Sequence, residues 1–195
     1  MPRLFTYTIP FDDGAAPNPF NGMCSLAICK PGVRRTARPG DWVAGLGSRD
    51  APSGDLSGSL VYAMFVQEAL SLRDYDRDAR LRRPHRIPDV NSSAQSDRLG
   101  DCVYDFSTGG PVQRAGVHGE GNVASDLRGE NVLISRDFYY FGSNAQPLPS
   151  YLRPICHQTQ GHRSDSNAPH LDALVEWVRS LAPRPGQYGW PDLLA

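Results

Sequence analysis

A turn followed by two apolar strands is what most limits how this chain folds. Pro39 presets φ and Gly40 accepts φ > 0, so the pair starts a tight turn. Residues 41–46 then read as a strand with Trp42, Ala44 and Leu46 on one face. Gly45, Gly47 and Ser48 leave it with little side-chain bulk, so another backbone or a flat ligand can approach closely. Residues 59–68 form the partner strand. Leu60, Tyr62, Met64 and Val66 alternate with Val61, Ala63, Phe65 and Gln67, so both faces are apolar and the strand belongs in an interior. The expected architecture is α+β: a small mixed or antiparallel β-barrel whose first wall ends in a narrow, glycine-lined cleft.

The remaining segments fit around that wall. Residues 4–9 alternate as a strand that turns Phe5, Tyr7 and Ile9 inward. Residues 10–22 are too rich in proline, glycine and asparagine for a helix, and a loop of that length often carries function. It holds Asp12, Asp13 and Asn18, which are read either as polar groups over the cleft or as turn-forming side chains. Residues 23–29 read as a second strand with Cys24 and Cys29 buried in it. The run Phe138, Tyr139, Tyr140, Phe141 alternates, so one pair seals the core and the other is left to stack on a planar ligand. Leu171, Leu174, Val175, Val178 and Leu181 make the apolar stripe of a C-terminal helix that Pro183 stops. A single domain over residues 1–183 and a tail over 184–195 are expected. Trp177, Tyr188 and Trp190 offer a docking surface for a protein partner.

Charge and cysteine usage narrow the function. The formal net charge is −1, so the surface does not grip nucleic acid indiscriminately. Nucleic-acid contact must be local, and residues 73–86, with six arginines against three aspartates, are the densest basic stretch. The four cysteines form no CxxC pair, which argues against a zinc ribbon or a disulfide framework. No metal site or cofactor motif is expected, and the absence of a long apolar run or secretory h-region places the expectation in the cytoplasm, off the membrane. For acid–base chemistry the candidates are His157, His162 and Asp165. A thiol–imidazole pair would draw on Cys102 or Cys156 with His118 or His157. Adjacent Cys156 and His157 would point to opposite faces of a strand, which makes them poor mutual partners.

Several ordered stretches carry a resemblance. These are residues 7–22, the Cys-Ser-Leu-Ala-Ile-Cys-Lys-Pro run at 24–31, Gly-Asp-Trp-Val-Ala-Gly-Leu-Gly-Ser at 40–48, residues 131–142 and Gly161-His162-Arg163. In combination they resemble the bacterial family of nucleotide modification associated domain 2, which implies a role alongside DNA base modification. The turn and paired strands also resemble PUA-like barrels of the EVE and ASCH groups, which hold modified bases or RNA. The implied function is recognition of a modified base or nucleotide, in DNA over RNA, with an enzyme acting on such a base as the rival. On that reading Trp42 and Tyr140 stack, Asp13 or Asp41 reads a base edge, and Asn18 lines the pocket from the 12–18 loop. Gly47, Ser48 and Arg49 form the cleft exit, and Arg49, His162 and Arg163 hold phosphate.

Overall fold

A computed structural model describes residues 1–80, 86–156 and 161–192. Its elements are β1 (Leu4–Ile9), β2 (Cys24–Leu26), α1 (Pro31–Thr36), β3 (Trp42–Gly47), β4 (Ser59–Phe65), β5 (Glu68–Ser71), α2 (Leu72–Arg77), α3 (Gln95–Arg98), β6 (Tyr104–Asp105), β7 (Val112–Gln113), α4 (Val123–Leu127), β8 (Asn131–Ser135), β9 (Phe138–Tyr140), β10 (Gln146–Pro147), α5 (Leu171–Leu181) and β11 (Gly186–Gln187). The main sheet runs β1-β3-β4-β9-β11, with β10 also on β4, and β2-β8-β5 forms a second sheet beside it. β3 and β4 pair antiparallel as their shared turn chemistry requires, whereas β1 and β3 run parallel across the α1 connection. Gly186 and Gln187, from the expected tail, extend the main sheet along β9.

Two cores lie on opposite faces of the main sheet. Phe5, Tyr7, Val43, Tyr62, Met64 and Tyr140 pack on one side with Leu26, Val33 and Leu133, which belong to β2, α1 and β8. Leu4, Trp42, Ala44, Leu46 and Tyr139 pack on the other with Leu174 and Val178 of α5. A third core binds the second sheet to α2 through Val132, Ile134, Tyr75 and Val103. Because each face already has its own cover, the sheets stay open. Among the described residues no sheet closes into a barrel, which corrects the expected PUA-like barrel; the α+β class and the C-terminal amphipathic helix are present.

The central turn is held by its aspartate. Asp41 is buried and accepts from the Arg38 backbone N–H at 2.9 Å, from the Arg3 N–H at 2.9 Å and from the Arg3 guanidinium at 2.7 Å. It fastens the start of β3 to the start of β1 (a charged, partly buried pair of this kind is among the stronger hydrogen bonds). At the far end of β3, Gly47 lies so close to the backbone of Leu56 that a Cβ there would collide with it. The glycine-lined exit is thus filled by the chain's own loop.

Candidate active site

β2 ends at Leu26, and the chain runs on through Ala27 and Ile28 to Cys29. Cys29 and Lys30 both adopt the left-handed conformation, with φ of 57° and 40°. Two consecutive non-glycine residues in this region cost roughly 1–2 kcal/mol each, so the surroundings must hold them there. They do so from four directions. The Cys29 N–H donates to Asp126 Oδ1 at 2.9 Å, and the Cys29 carbonyl accepts from Arg34 Nη1 at 3.1 Å. The Arg34 N–H donates to the Lys30 carbonyl at 3.1 Å, and Lys30 Nζ donates to the Thr8 carbonyl at 2.8 Å. Pro31, with its fixed φ and no N–H to lose, opens α1 directly after. The result is a sharp elbow that presents the Cys29 thiol, half-buried, at the surface.

His118 meets that thiol from the loop before α4. Its Nε2 stands 3.2 Å from Cys29 Sγ, and its Nδ1 stands 2.6 Å from Asp126 Oδ2. Asp126 is buried and is further fixed by the Tyr104 hydroxyl at 3.0 Å. The three side chains form a line, thiol to imidazole to carboxylate, which is the order that nucleophilic thiol catalysis uses. Hydrogen bonds first to Asp126 and then to Cys29 push the His118 pKa up to about 10, against partial burial. Burial raises the Asp126 carboxyl, but bonds from His118, the Cys29 N–H and Tyr104 outweigh it and hold it below the usual range. These partners favour the imidazolium form of His118 beside the sulfur, the kind of neighbour that thiol chemistry uses.

The elbow rests on a buried cation. Arg34 is fully buried in α1, donates from Nε to the Asn131 carbonyl at 2.8 Å, and passes directly over Gly129, where a Cβ would strike the guanidinium. Burial lowers its pKa to about 10, opposed most by Asp126. Thus α1, β8 and α4 are locked together at the atoms that shape the thiol's backbone.

The residues singled out from sequence fall in different places. His162 comes to this neighbourhood: a Cβ on Gly32 would stand 2.9 Å from its ring, and the ring lies 5.6 Å from that of Phe5. Arg163 pairs its backbone with Thr6 along the open edge of β1, at 2.9 Å in both directions. Asp165 is exposed in the turn before α5, and His157 lies outside the described residues. Tyr140 is fully buried with its hydroxyl on Asp12 at 2.6 Å, and Trp42 is buried against Phe65 on the α5 side of the sheet, away from the thiol. Asp13 caps its own turn through the Ala15 N–H at 2.9 Å. Asn18 is buried between Leu99 and Arg86. Asp41 is consumed by Arg3 and Arg38, Gly47 is covered by Leu56, Ser48 accepts from the Asp50 N–H at 3.2 Å, and Arg49 is exposed. Of the C-terminal aromatics, Trp190 is 58 % exposed and Tyr188 stacks on Phe141. Of the basic stretch at 73–86, residues 81–85 lie outside the described residues, and Arg86 is buried.

Cys29 was expected in a strand, and His118 with a different cysteine. The usable signal was the Lys-Pro-Gly turn at residues 30–32 immediately after Cys29, which ends any strand before that thiol. Asp126 had no local signal, because its partner Cys29 is 97 residues away. A comparison with curated proteins and one with solved structures each found no match. A family model described as nucleotide modification associated domain 2 matches residues 1–193. The chain belongs to the nucleotide modification associated domain 2 family.

Proposed function

We propose that this chain is a thiol-dependent enzyme acting on a nucleotide or on a modified base in nucleic acid, in DNA over RNA. The carrying observation is the Cys29–His118–Asp126 line, at 3.2 and 2.6 Å. The family membership supports the nucleotide class of substrate. The reaction this geometry suits is attack on an sp² carbon bearing a leaving group, such as an amide, ester or amidine carried by the base.

In the reacting pair the proton is carried by His118 Nε2 as the sulfur attacks. The Cys29 sulfur forms a bond to the carbon while its π electrons move onto the attached oxygen or nitrogen. As that centre collapses, the bond to the leaving group breaks and His118 Nε2 gives up its proton to it. His118 then takes a proton from water, the resulting hydroxide attacks the thioester-like carbon, and the sulfur departs as thiolate. Asp126 keeps the imidazole in the orientation and charge state that both halves need. Base recognition is part of this reading, since extruding a base costs a few kcal/mol that the pocket must return.

The test is conversion of a panel of short DNAs and matching nucleotides carrying amide, ester or amidine groups on the base. Products are read by chromatography of the digested nucleosides, and adducts by intact mass. Wild-type protein is expected to convert one class and pass through a Cys29 adduct, while Cys29→Ala binds it without conversion. Binding that is equal in both proteins, with neither conversion nor adduct, would leave a non-covalent reader.

A further inference from the structure

We propose that Lys30 forms an anion-binding subsite beside the thiol, and that the substrate carries a phosphate or carboxylate within reach of the carbon Cys29 attacks. The inference rests on the enzyme reading above. Lys30 is the only lysine in the chain. The residue is half-buried; among the described residues its ammonium donates to the Thr8 carbonyl at 2.8 Å, and it lies 4.6 Å from the centre of the Tyr7 ring. It has no carboxylate partner among the described residues.

Burial lowers its pKa, and the neighbouring Cys29 opposes this. An ammonium has three donors, so one carbonyl leaves capacity for a ligand. The backbone commits it to this place: Lys30 holds φ 40° and ψ 50°, a conformation that asparagine or glycine would take with less strain, yet the position carries a long cation. The thiol thus has the His118 ring at 3.2 Å and a lysine on the next residue, and Asp126 already pairs with His118. The His162 ring lies over Gly32, two residues along. A site so charged favours an anionic substrate, and a nucleotide's phosphate meets that chemistry.

Iodoacetate and iodoacetamide share one electrophilic carbon and differ in charge, so their relative rates at Cys29, read by peptide mass, report the local field without a known substrate. The preference for iodoacetate should fall about tenfold in Lys30→Gln, and persist in Lys30→Arg and in the remote Arg184→Gln. In wild-type protein, inorganic phosphate and thymidine 5′-monophosphate should slow iodoacetamide at Cys29, whereas thymidine should not; protection by acetate alone would assign the subsite to a carboxylate. An unchanged preference in Lys30→Gln, or the absence of protection by any anion, would overturn the subsite. His118→Asn separates the two claims: if Cys29 reacts equally fast without His118, the triad fails while the Lys30 ratio still reads.

Discussion

Two polar clusters lie four residues apart on the same stretch of chain, and they are built to opposite ends. At Ser25, in β2, the hydroxyl joins Arg86, Asp101 and Tyr75 in a cluster closed to solvent, with Arg86 only 2 % and Asp101 only 1 % exposed. Arg86 also donates to the Asn18 side chain at 2.9 Å and to the carbonyls of Phe20 and Met23 at 2.9 and 2.6 Å. Asp101 accepts from Ser25 at 2.5 Å and from Tyr75 at 2.6 Å. Every strong donor is answered, the backbone of β2 is extended, and the cluster ties the 10–22 loop to the second sheet. At Cys29 the backbone is left-handed, the residue is half-exposed, and among the described residues the sulfur's one hydrogen-bonding partner is a titratable ring. Charge that is buried and fully bonded serves the fold; charge arranged in a line that ends at a half-open nucleophile serves chemistry.

That contrast breaks most visibly at the thiol. Cys29→Ala should abolish conversion by about 10⁴-fold or more, in a steady-state assay, while shifting the denaturant midpoint little. Arg86→Met should do the reverse, because it leaves Asp101 buried without its cation: a loss of about 3–5 kcal/mol in urea unfolding, with Cys29 reactivity kept in whatever protein remains folded.

Asp12 sharpens the comparison from a third position. It is buried beside Tyr140, and burial pushes its carboxyl up to about 7 from 3.8, against the hydrogen bonds from Tyr140 and the Gly14 N–H. A raised carboxyl is neutral in both states at low pH, so its penalty is absent there and grows as pH rises from about 4 to 7. Asp12→Asn should therefore gain stability over wild type by about 2–4 kcal/mol between pH 4 and pH 8, seen in urea midpoints at both. No gain would mean that Asp12 has found a cation. The smallest effect is expected at Arg34, which positions Cys29 through its carbonyl. Arg34→Lys should lower kcat by about tenfold with KM nearly unchanged, whereas a general loss of folding would reduce both active fraction and stability.

The sequence made the sheet legible and the site hard to see, for one physical reason. Alternation is local, so β1, β3, β4 and α5 could be read from the spacing of Phe5, Tyr7, Leu60, Tyr62, Leu174 and Val178. The cover of each face was not local: β2 and β8 pair between Leu26 and Leu133, and that second sheet takes the place of a closed barrel. The triad depends on the same distant pairing, which brings residues 118 and 126 to residue 29. Aromatic residues proposed for stacking, Trp42 and Tyr140, are read equally well as core, and both are buried. Asp41 behaves as an aspartate after Pro-Gly often does, tying down its turn.

A groove of about 550 Å³ lies at Trp42, Phe65, Leu171 and Val175, on the α5 face of the main sheet. The elbow leads into α1, whose Val33 packs with Tyr7 on the other face. Size alone would direct attention to the groove; the ordered line of thiol, imidazole and carboxylate directs it to the elbow.

The most direct test of that assignment is the rate at which iodoacetamide alkylates Cys29 relative to Cys156 at pH 7, by peptide mass, in wild type and in His118→Asn. Both thiols are half-buried, but burial raises the pKa of Cys156, and among the described residues no histidine bond to it matches the one at Cys29. Cys29 should react about 100-fold faster, and His118→Asn should remove most of that advantage. Equal rates for the two cysteines, or a Cys29 rate indifferent to His118, would contradict a catalytic role for the Cys29–His118–Asp126 line.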